Sequence, residues 1–397
     1  MERPTNTKEN SQTITGKIIS VLVLIAISAL AIFGLKWAKG SSLSNQSSPA
    51  TDSNEKNVSK ASSCGGPLVL AHGFSAYQTN QDNTDFVEFA IKDVGELRSF
   101  SWSPNGQQLA LFGNTTGSGV IYVADSGLKE FHLVPVSSEL PYVMGAAWSR
   151  DGSQLVAWEV QNNSTIYLFN KDGSNFKEIK LPAQVFETPQ FAPGNKSIVF
   201  YGADTSSSGL IEAKVDGSEI RMISDLVENE GSFAWSQDGS HLAYIEMDRN
   251  LGEARLIVQD IKSNSKTTIA SLPIPKGSGS SLPASANLSW SSDGKALVFE
   301  FGRGNSDRAI YLASTDGSGL VKLAESAHAP AISADGKCVA YISDKQVFLL
   351  DLTVPSAHPI LLANLPAGRE ISDFRLDKLG WRPEALSTAF HELIAAQ

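Results

Sequence analysis

The sequence predicts an all-β fold, a β-propeller of four-stranded antiparallel blades, and three observations lead there. First, a ten-residue unit recurs: Trp102 opens WSPNGQQLAL, Trp148 opens WSRDGSQLVA, Phe191 opens FAPGNKSIVF, Trp235 opens WSQDGSHLAY, Trp290 opens WSSDGKALVF and Ile332 opens ISADGKCVAY. Second, the starts are 46, 43, 44, 55 and 42 residues apart, the length of one propeller blade. Third, each unit is followed by further apolar, β-rich runs such as VIYVADSG, TIYLFNKDGS and AIYLASTDGS, then by a short run such as FKEIKL or LVKLA. Four strands fit in each period.

Each unit reads as two strands and a tight turn. An aromatic ends the first strand, and alternating apolar residues begin the second. Gly106, Gly152, Gly239, Gly294 and Gly336 supply the positive φ that the reversal needs, four of them preceded by Asp151, Asp238, Asp293 and Asp335. Turn chemistry accounts for those aspartates without a calcium site. The tryptophans, at the same place in successive repeats, are expected in the packing between blades rather than on a sugar-stacking platform. The long interval contains the insertion PIPKGSGSSLPASA, which loop-closure entropy tolerates at about 0.6 kcal/mol per doubling of length.

These residues resemble the TolB-type, WD-repeat-like β-propeller family, whose blades carry W-S-x-D-G-x-x-L-A-F followed by I-Y-x-x-D-x-D-G. The resemblance covers roughly residues 67–381. It departs at Phe191 to Asn195, where Gly and Asn are transposed, and at Ile332, where the aromatic is missing. Before the first unit, PLVLAHGF and DFVEFAI read as the third and fourth strands of a blade completed by FRLDKLGW, ending at Trp381. Pairing the two chain ends removes exposed edges, so seven blades are expected rather than six. In the tail, Leu386, Ala389, Phe390, Leu393 and Ile394 fall at helical spacing after Pro383.

The domain reading is a tail at 1–17, a membrane helix at 18–38, a linker at 39–66 and a propeller at 67–397. Residues 18–35 carry no charge and as a helix span roughly 27 Å, close to a hydrocarbon core of about 30 Å. Arg3, Lys8 and Lys17 precede the run, while Lys36 and Lys39 follow it. An uncleaved signal-anchor is the first expectation. A signal cleaved after Ala31 or a buried core helix are the alternatives. The Ser- and Asn-rich linker cannot bury enough surface to order itself. Anchor and tether together place the propeller on the extracytoplasmic side of a cell membrane, or secreted if the signal is cleaved. There Cys64 and Cys338 either pair in one disulfide or remain two thiols.

Function is less legible. A net charge of -10 argues against nucleic acid. No GxSxG, HExxH, P-loop or EF-hand motif occurs, and LVLAHGFS at Leu68 to Ser75 reads as a buried strand rather than a hydrolase oxyanion strand. No cofactor and no metal are expected, because the six histidines are scattered and two cysteines cannot build a zinc site. The Asp-Gly turns should share one face of the disc. The opposite face should carry the variable connections: the strand two-to-three links, such as EMDRNLGEA, and the blade-to-blade segments, such as DLVENEGS. Arg98, Glu187, His328 and Asp377 each lie four residues before the end of an innermost strand, near the mouth of the channel, as ligand contacts or as solvated loop residues. The expectation is a protein-binding module of the cell envelope, the role that the family resemblance implies. The alternative is a propeller enzyme, a lyase or hydrolase of sugars or lactones. A transmembrane sensor is disfavoured by the shortness of the segment before the helix.

Overall fold

The computed structural model describes residues 68–382, apart from 73–74, 80–85, 90, 92–95, 116–117, 137–139, 141–142, 160–163, 226–232, 275–283, 303–306, 355–356 and 366–377. The expected membrane helix and linker, Cys64, Asp377 and the tail helix lie outside the described residues. No helix among the described residues is long and apolar enough to cross a membrane.

Seven antiparallel sheets form the fold. Blade 1 holds β4 (Glu96–Trp102), β5 (Gln108–Asn114), β6 (Gly119–Asp125) and β7 (Phe131–Leu133). Blade 2 holds β8 (Val143–Trp148), β9 (Gln154–Glu159), β10 (Thr165–Asn170) and β11 (Lys177–Lys180). In blade 3 the first strand is split into β12 (Gln184–Val185) and β13 (Gln190–Phe191), followed by β14 (Ser197–Ala203), β15 (Ser208–Lys214) and β16 (Ile220–Ser224). Blade 4 comprises β17 (Phe233–Trp235), β18 (His241–Asp248), β19 (Glu253–Asp260) and β20 (Lys266–Pro273). Blade 5 comprises β21 (Ala284–Trp290), β22 (Ala296–Gly302), β23 (Ala309–Ser314) and β24 (Leu320–Glu325), and blade 6 β25 (Ala327–Ile332), β26 (Cys338–Ser343), β27 (Gln346–Asp351) and β28 (Ile360–Asn364).

Blade 7 is assembled from both ends of the described chain. β29 (Lys378–Trp381) pairs with β1 (Leu68–His72), which pairs in turn with β2 (Ser75–Thr79) and then β3 (Phe86–Glu88). This corrects the expected position of PLVLAHGF by one strand, while DFVEFAI supplies the fourth strand as expected. Leu68–His72 is the second strand, and the third is Ser75–Thr79, whose SAYQT carries only a weak apolar alternation. The blade therefore closes with one C-terminal and three N-terminal strands.

Ring closure is visible in the core. Seven buried apolar clusters occur, one between each pair of neighbouring blades. Trp148 packs between blades 1 and 2, Phe191 between 2 and 3, Trp235 between 3 and 4, Ile332 between 5 and 6, and Trp381 between 6 and 7. Trp290 and Trp102 pack partly buried against the 4/5 and 7/1 clusters. At the last junction, a Cβ on Gly380 would come 2.8 Å from Phe100 Cε2, so blades 7 and 1 meet there on bare backbone. First strands of neighbouring blades lie against one another, which makes them the lining of the channel.

Candidate functional site

The innermost strands are irregular near their starts. Arg98 is an extra residue between Leu97 and Ser99, and Met144 is the same between Val143 and Gly145. In blade 5 the register shifts between Ala286 and Ser289, and in blade 6 between His328 and Ala331. In blade 3 the strand breaks altogether between Val185 and Gln190. Such bulges re-aim side chains. Thus Arg98 sits in a bulge, Glu187 in the break and His328 at the edge of a bulge. All three are partly exposed, near the end of the channel remote from the Asp-Gly turns. Asp377 would complete the set but lies outside the described residues.

Residues of neighbouring blades hold these irregularities in place. Glu300, on β22, is 1% exposed. Its carboxylate accepts from the backbone N of Ala329 at 2.7 Å, from Asn287 Nδ2 at 3.2 Å and from Arg308 Nη1 at 3.2 Å. Asn287 and Ala329 have φ of 55° and 50°, a left-handed conformation that β-sheet contacts alone do not favour. One buried carboxylate therefore pins the bulges of blades 5 and 6, next to His328. In blade 1, Asn114 plays the corresponding part: its Oδ1 accepts from Val143 N at 2.8 Å and its Nδ2 donates to Val143 O at 3.0 Å. At the break in blade 3, Trp158 Nε1 donates to Thr188 Oγ1 at 3.2 Å. Thr188 occupies the space that any side chain at Gly145 would need. Neither Glu300 nor Asn114 stood out in the sequence, because their function depends on the partner strand.

The faces differ, though not as the sequence suggests. Every strand two-to-three link is short, from two residues (73–74) to six (303–308). EMDRNLGEA, expected as a variable loop, is mostly strand. Its reversal is a tight turn in which Asp248 Oδ1 accepts from the backbone N of Asn250 and Leu251. Length variation is concentrated in the blade-to-blade connections. Five of them run seven to thirteen residues, at 89–95, 134–142, 225–232, 274–283 and 365–377, while 181–183 and the single residue Ser326 are much shorter. The two short ones lead into the break bearing Glu187 and the strand bearing His328.

On the turn face, a serine organises each regular hairpin. Ser149, Ser236, Ser291 and Ser333 donate to Asp151, Asp238, Asp293 and Asp335, at 2.6 to 2.7 Å. Each Oγ also accepts the backbone N of the residue five positions on. The hydroxyl bonds help hold the aspartate carboxyls below their ordinary range. Desolvation opposes them and is the largest single influence at Asp151, Asp238 and Asp335, whereas at Asp293 the Ser291 hydroxyl leads. The following turns lie alongside: Lys171 N donates to Ser153 O and Thr315 N to Lys295 O. Arg150 crosses this face. Its backbone N donates to Asn195 Oδ1 at 2.8 Å, and its Nη2 reaches Ser236 O and Gln237 O at 2.7 and 3.0 Å. A residue of blade 2 can touch blades 3 and 4 only where the blades converge, beside the channel axis. Arg150 was missed in the sequence, although it is the one charged residue among the six equivalent positions Pro104, Arg150, Pro193, Gln237, Ser292 and Ala334.

Among the described residues, no three His, Cys, Asp or Glu side chains are placed to hold a metal ion. Cys338 carries no free thiol. No protein-family model matches the chain, and no curated protein does. Solved structures do. An oligogalacturonate lyase from Vibrio parahaemolyticus aligns at 14% identity and a TM-score of 0.54, covering 73% of this chain and 87% of the other. An oligogalacturonate lyase in complex with manganese aligns at 15% identity and 0.54, covering 71% and 83%. The β-propeller domain of Cps50 (Swd1) from Myceliophteria thermophila aligns at 14% identity and 0.50, covering 73% and 90%. At such identities the likeness is one of fold.

Proposed function

We propose that the chain is a binding propeller of the cell envelope, tethered by its N-terminal apolar segment, which takes an extended segment of a protein partner across the face that carries the blade-to-blade connections. The observation that carries this reading is the unequal length of those connections. They shrink to 181–183 and to Ser326 ahead of blades 3 and 6, where Glu187 and His328 stand at the irregular starts of inner strands. The other five connections run seven to thirteen residues. A face whose connections differ in length in this way suits an extended chain, and the ionic groups at 187 and 328 suit the mixed polarity of polypeptide. The TolB-type repeat resemblance supports the same reading. Photocrosslinking residues placed at 187 and 328 in intact cells should capture one protein partner, while a crosslinker at Gln237 on the turn face should not. Capture from position 237 alone refutes the choice of face.

The second reading is an enzyme on acidic sugars, favoured by the fold shared with two oligogalacturonate lyases. Incubation of the purified chain with manganese and oligogalacturonate separates the two. Release of an unsaturated product, lost on chelation, would replace binding by catalysis.

A further inference from the structure

The geometry points to a second site on the opposite face: Arg150, at the turn-face end of the channel, binds a carboxylate. The guanidinium is partly enclosed, and among the described residues its only polar partners are the peptide carbonyls of Ser236 and Gln237, both taken by Nη2. Carbonyls satisfy hydrogen bonds, but they carry no charge to balance an enclosed cation. Among the described residues, Arg150 forms no ion pair. Asp238 is the charge that acts on it, and that carboxylate is engaged by Ser236 Oγ at 2.6 Å, Ser240 N at 3.0 Å and Ser240 Oγ at 2.7 Å. The neighbouring positions around the axis, Pro104, Pro193, Gln237, Ser292 and Ala334, supply no anion. The hydrogens on Nε and Nη1 remain as donors.

The cation is also held still. Its backbone is fixed to blade 3 through Asn195 and its Nη2 to blade 4, so little rotamer entropy remains to be lost on binding. Burial pushes the guanidinium down to about 10, with Asp238 opposing the shift, so it remains charged at neutral pH. One carboxylate matches the two donors that remain, Nε and Nη1, on a cation whose hydrogen-bonded partners are uncharged carbonyls. A chain of net charge -10 would repel a polyanion more strongly than a single carboxylate. The ligand class is therefore a monocarboxylate group, supplied either by an acidic sugar or by the free carboxyl end of a peptide.

The test uses the full chain in non-ionic detergent at fixed ionic strength. Acetate, galacturonate and a tripeptide with a free carboxyl end are each compared with chloride, and the amidated tripeptide serves as the uncharged control. Phenylglyoxal modification of Arg150, followed by mass mapping, should slow about tenfold with at least one carboxylate, and the arm protecting at the lowest concentration identifies the source. Thermal unfolding should shift upward with the same compound and lose that shift in Arg150→Gln. Glu187→Gln and His328→Ala, on the other face, should leave the protection intact. Arg150 modified at the same rate with every carboxylate as with chloride overturns the site, whatever the stability of the variant.

Discussion

Trp148 and Trp235 occupy the same place in successive interblade cores, yet they differ in one bond, and that difference predicts unequal responses to the same substitution. Trp148 Nε1 donates to Ser101 O of the preceding blade at 3.0 Å, as Trp290 does to Ala234 O at 2.9 Å. Trp235 Nε1 is enclosed and meets no acceptor among the described residues. The two side chains are 5% and 9% exposed, so Trp→Phe removes a similar apolar area from each. At 148 the substitution also removes the interblade bond to Ser101 O, a loss of about 1 kcal/mol. At 235 it removes an unsatisfied donor and recovers a similar amount. Trp148→Phe should therefore be more destabilising than Trp235→Phe by about 2 kcal/mol, read from urea midpoints at a common slope. Trp235→Ala should cost about 3–5 kcal/mol, the range for a buried aromatic. Equal losses for the two phenylalanine variants, or a larger loss at 235, would refute the assignment of the indole bond as an interblade clasp. A loss under about 0.5 kcal/mol for the alanine variant would contradict burial.

Glu300→Ala should destabilise by about 3–5 kcal/mol, since it leaves the Arg308 charge and the Ala329 N–H buried without their acceptor; Glu300→Gln should cost less, and a loss under about 1 kcal/mol in the alanine variant would mean that the bulges hold themselves. Asp293 is held below its ordinary value of 3.8, first by the Ser291 hydroxyl and then by Lys295 N, so its contribution is present above about pH 4 and disappears as pH falls through the lower folded value. The stability gap between wild type and Ser291→Ala should accordingly be wider at pH 6 than at pH 2.5; a gap independent of pH discounts the hydroxyl bond. Cys338 has no free thiol, and of the two states open to Cys64 and Cys338 the paired one predicts that denatured, unreduced chain yields no titratable thiol and that reduction releases two per chain.

What was legible in the sequence is what each repeat encodes locally. The Trp-Ser-x-Asp-Gly unit contains its own turn, so periodicity alone placed all six intact blades. The seventh was legible only in outline, because SAYQT has too little apolar contrast to announce a strand between two stronger ones. The bulges were not legible at all. Register is a property of two strands, and nothing in ALVFE says that the glutamate at its end will catch an amide in the next blade. The expected strand two-to-three loops failed in a similar way: strand ends depend on how far pairing extends, and β18 and β19 pair as far as Asp248 and Glu253, absorbing residues that read as loop.

One departure from the repeat pattern and one residue missed in the sequence turn out to be partners. Blade 3 lacks the organising serine, and its turn carries Gly194 and Asn195 at φ of 81° and 56°. Asparagine tolerates this conformation better than most residues. In the regular turns the side-chain oxygen of Asn105 or Asp is spent on its own hairpin. Transposition frees the Asn195 oxygen, which instead accepts the backbone N of Arg150 from blade 2. Blades 2, 3 and 4 are thereby joined on the turn face through one residue, and Ser292 Oγ donates to Ala334 O across blades 5 and 6. A face cross-tied in this manner resists relative movement of the blades. Under the proposed function, adaptable recognition falls to the opposite face, where the connections change in length from one blade to the next, and the proposed turn-face site offers a rigid, preformed charge.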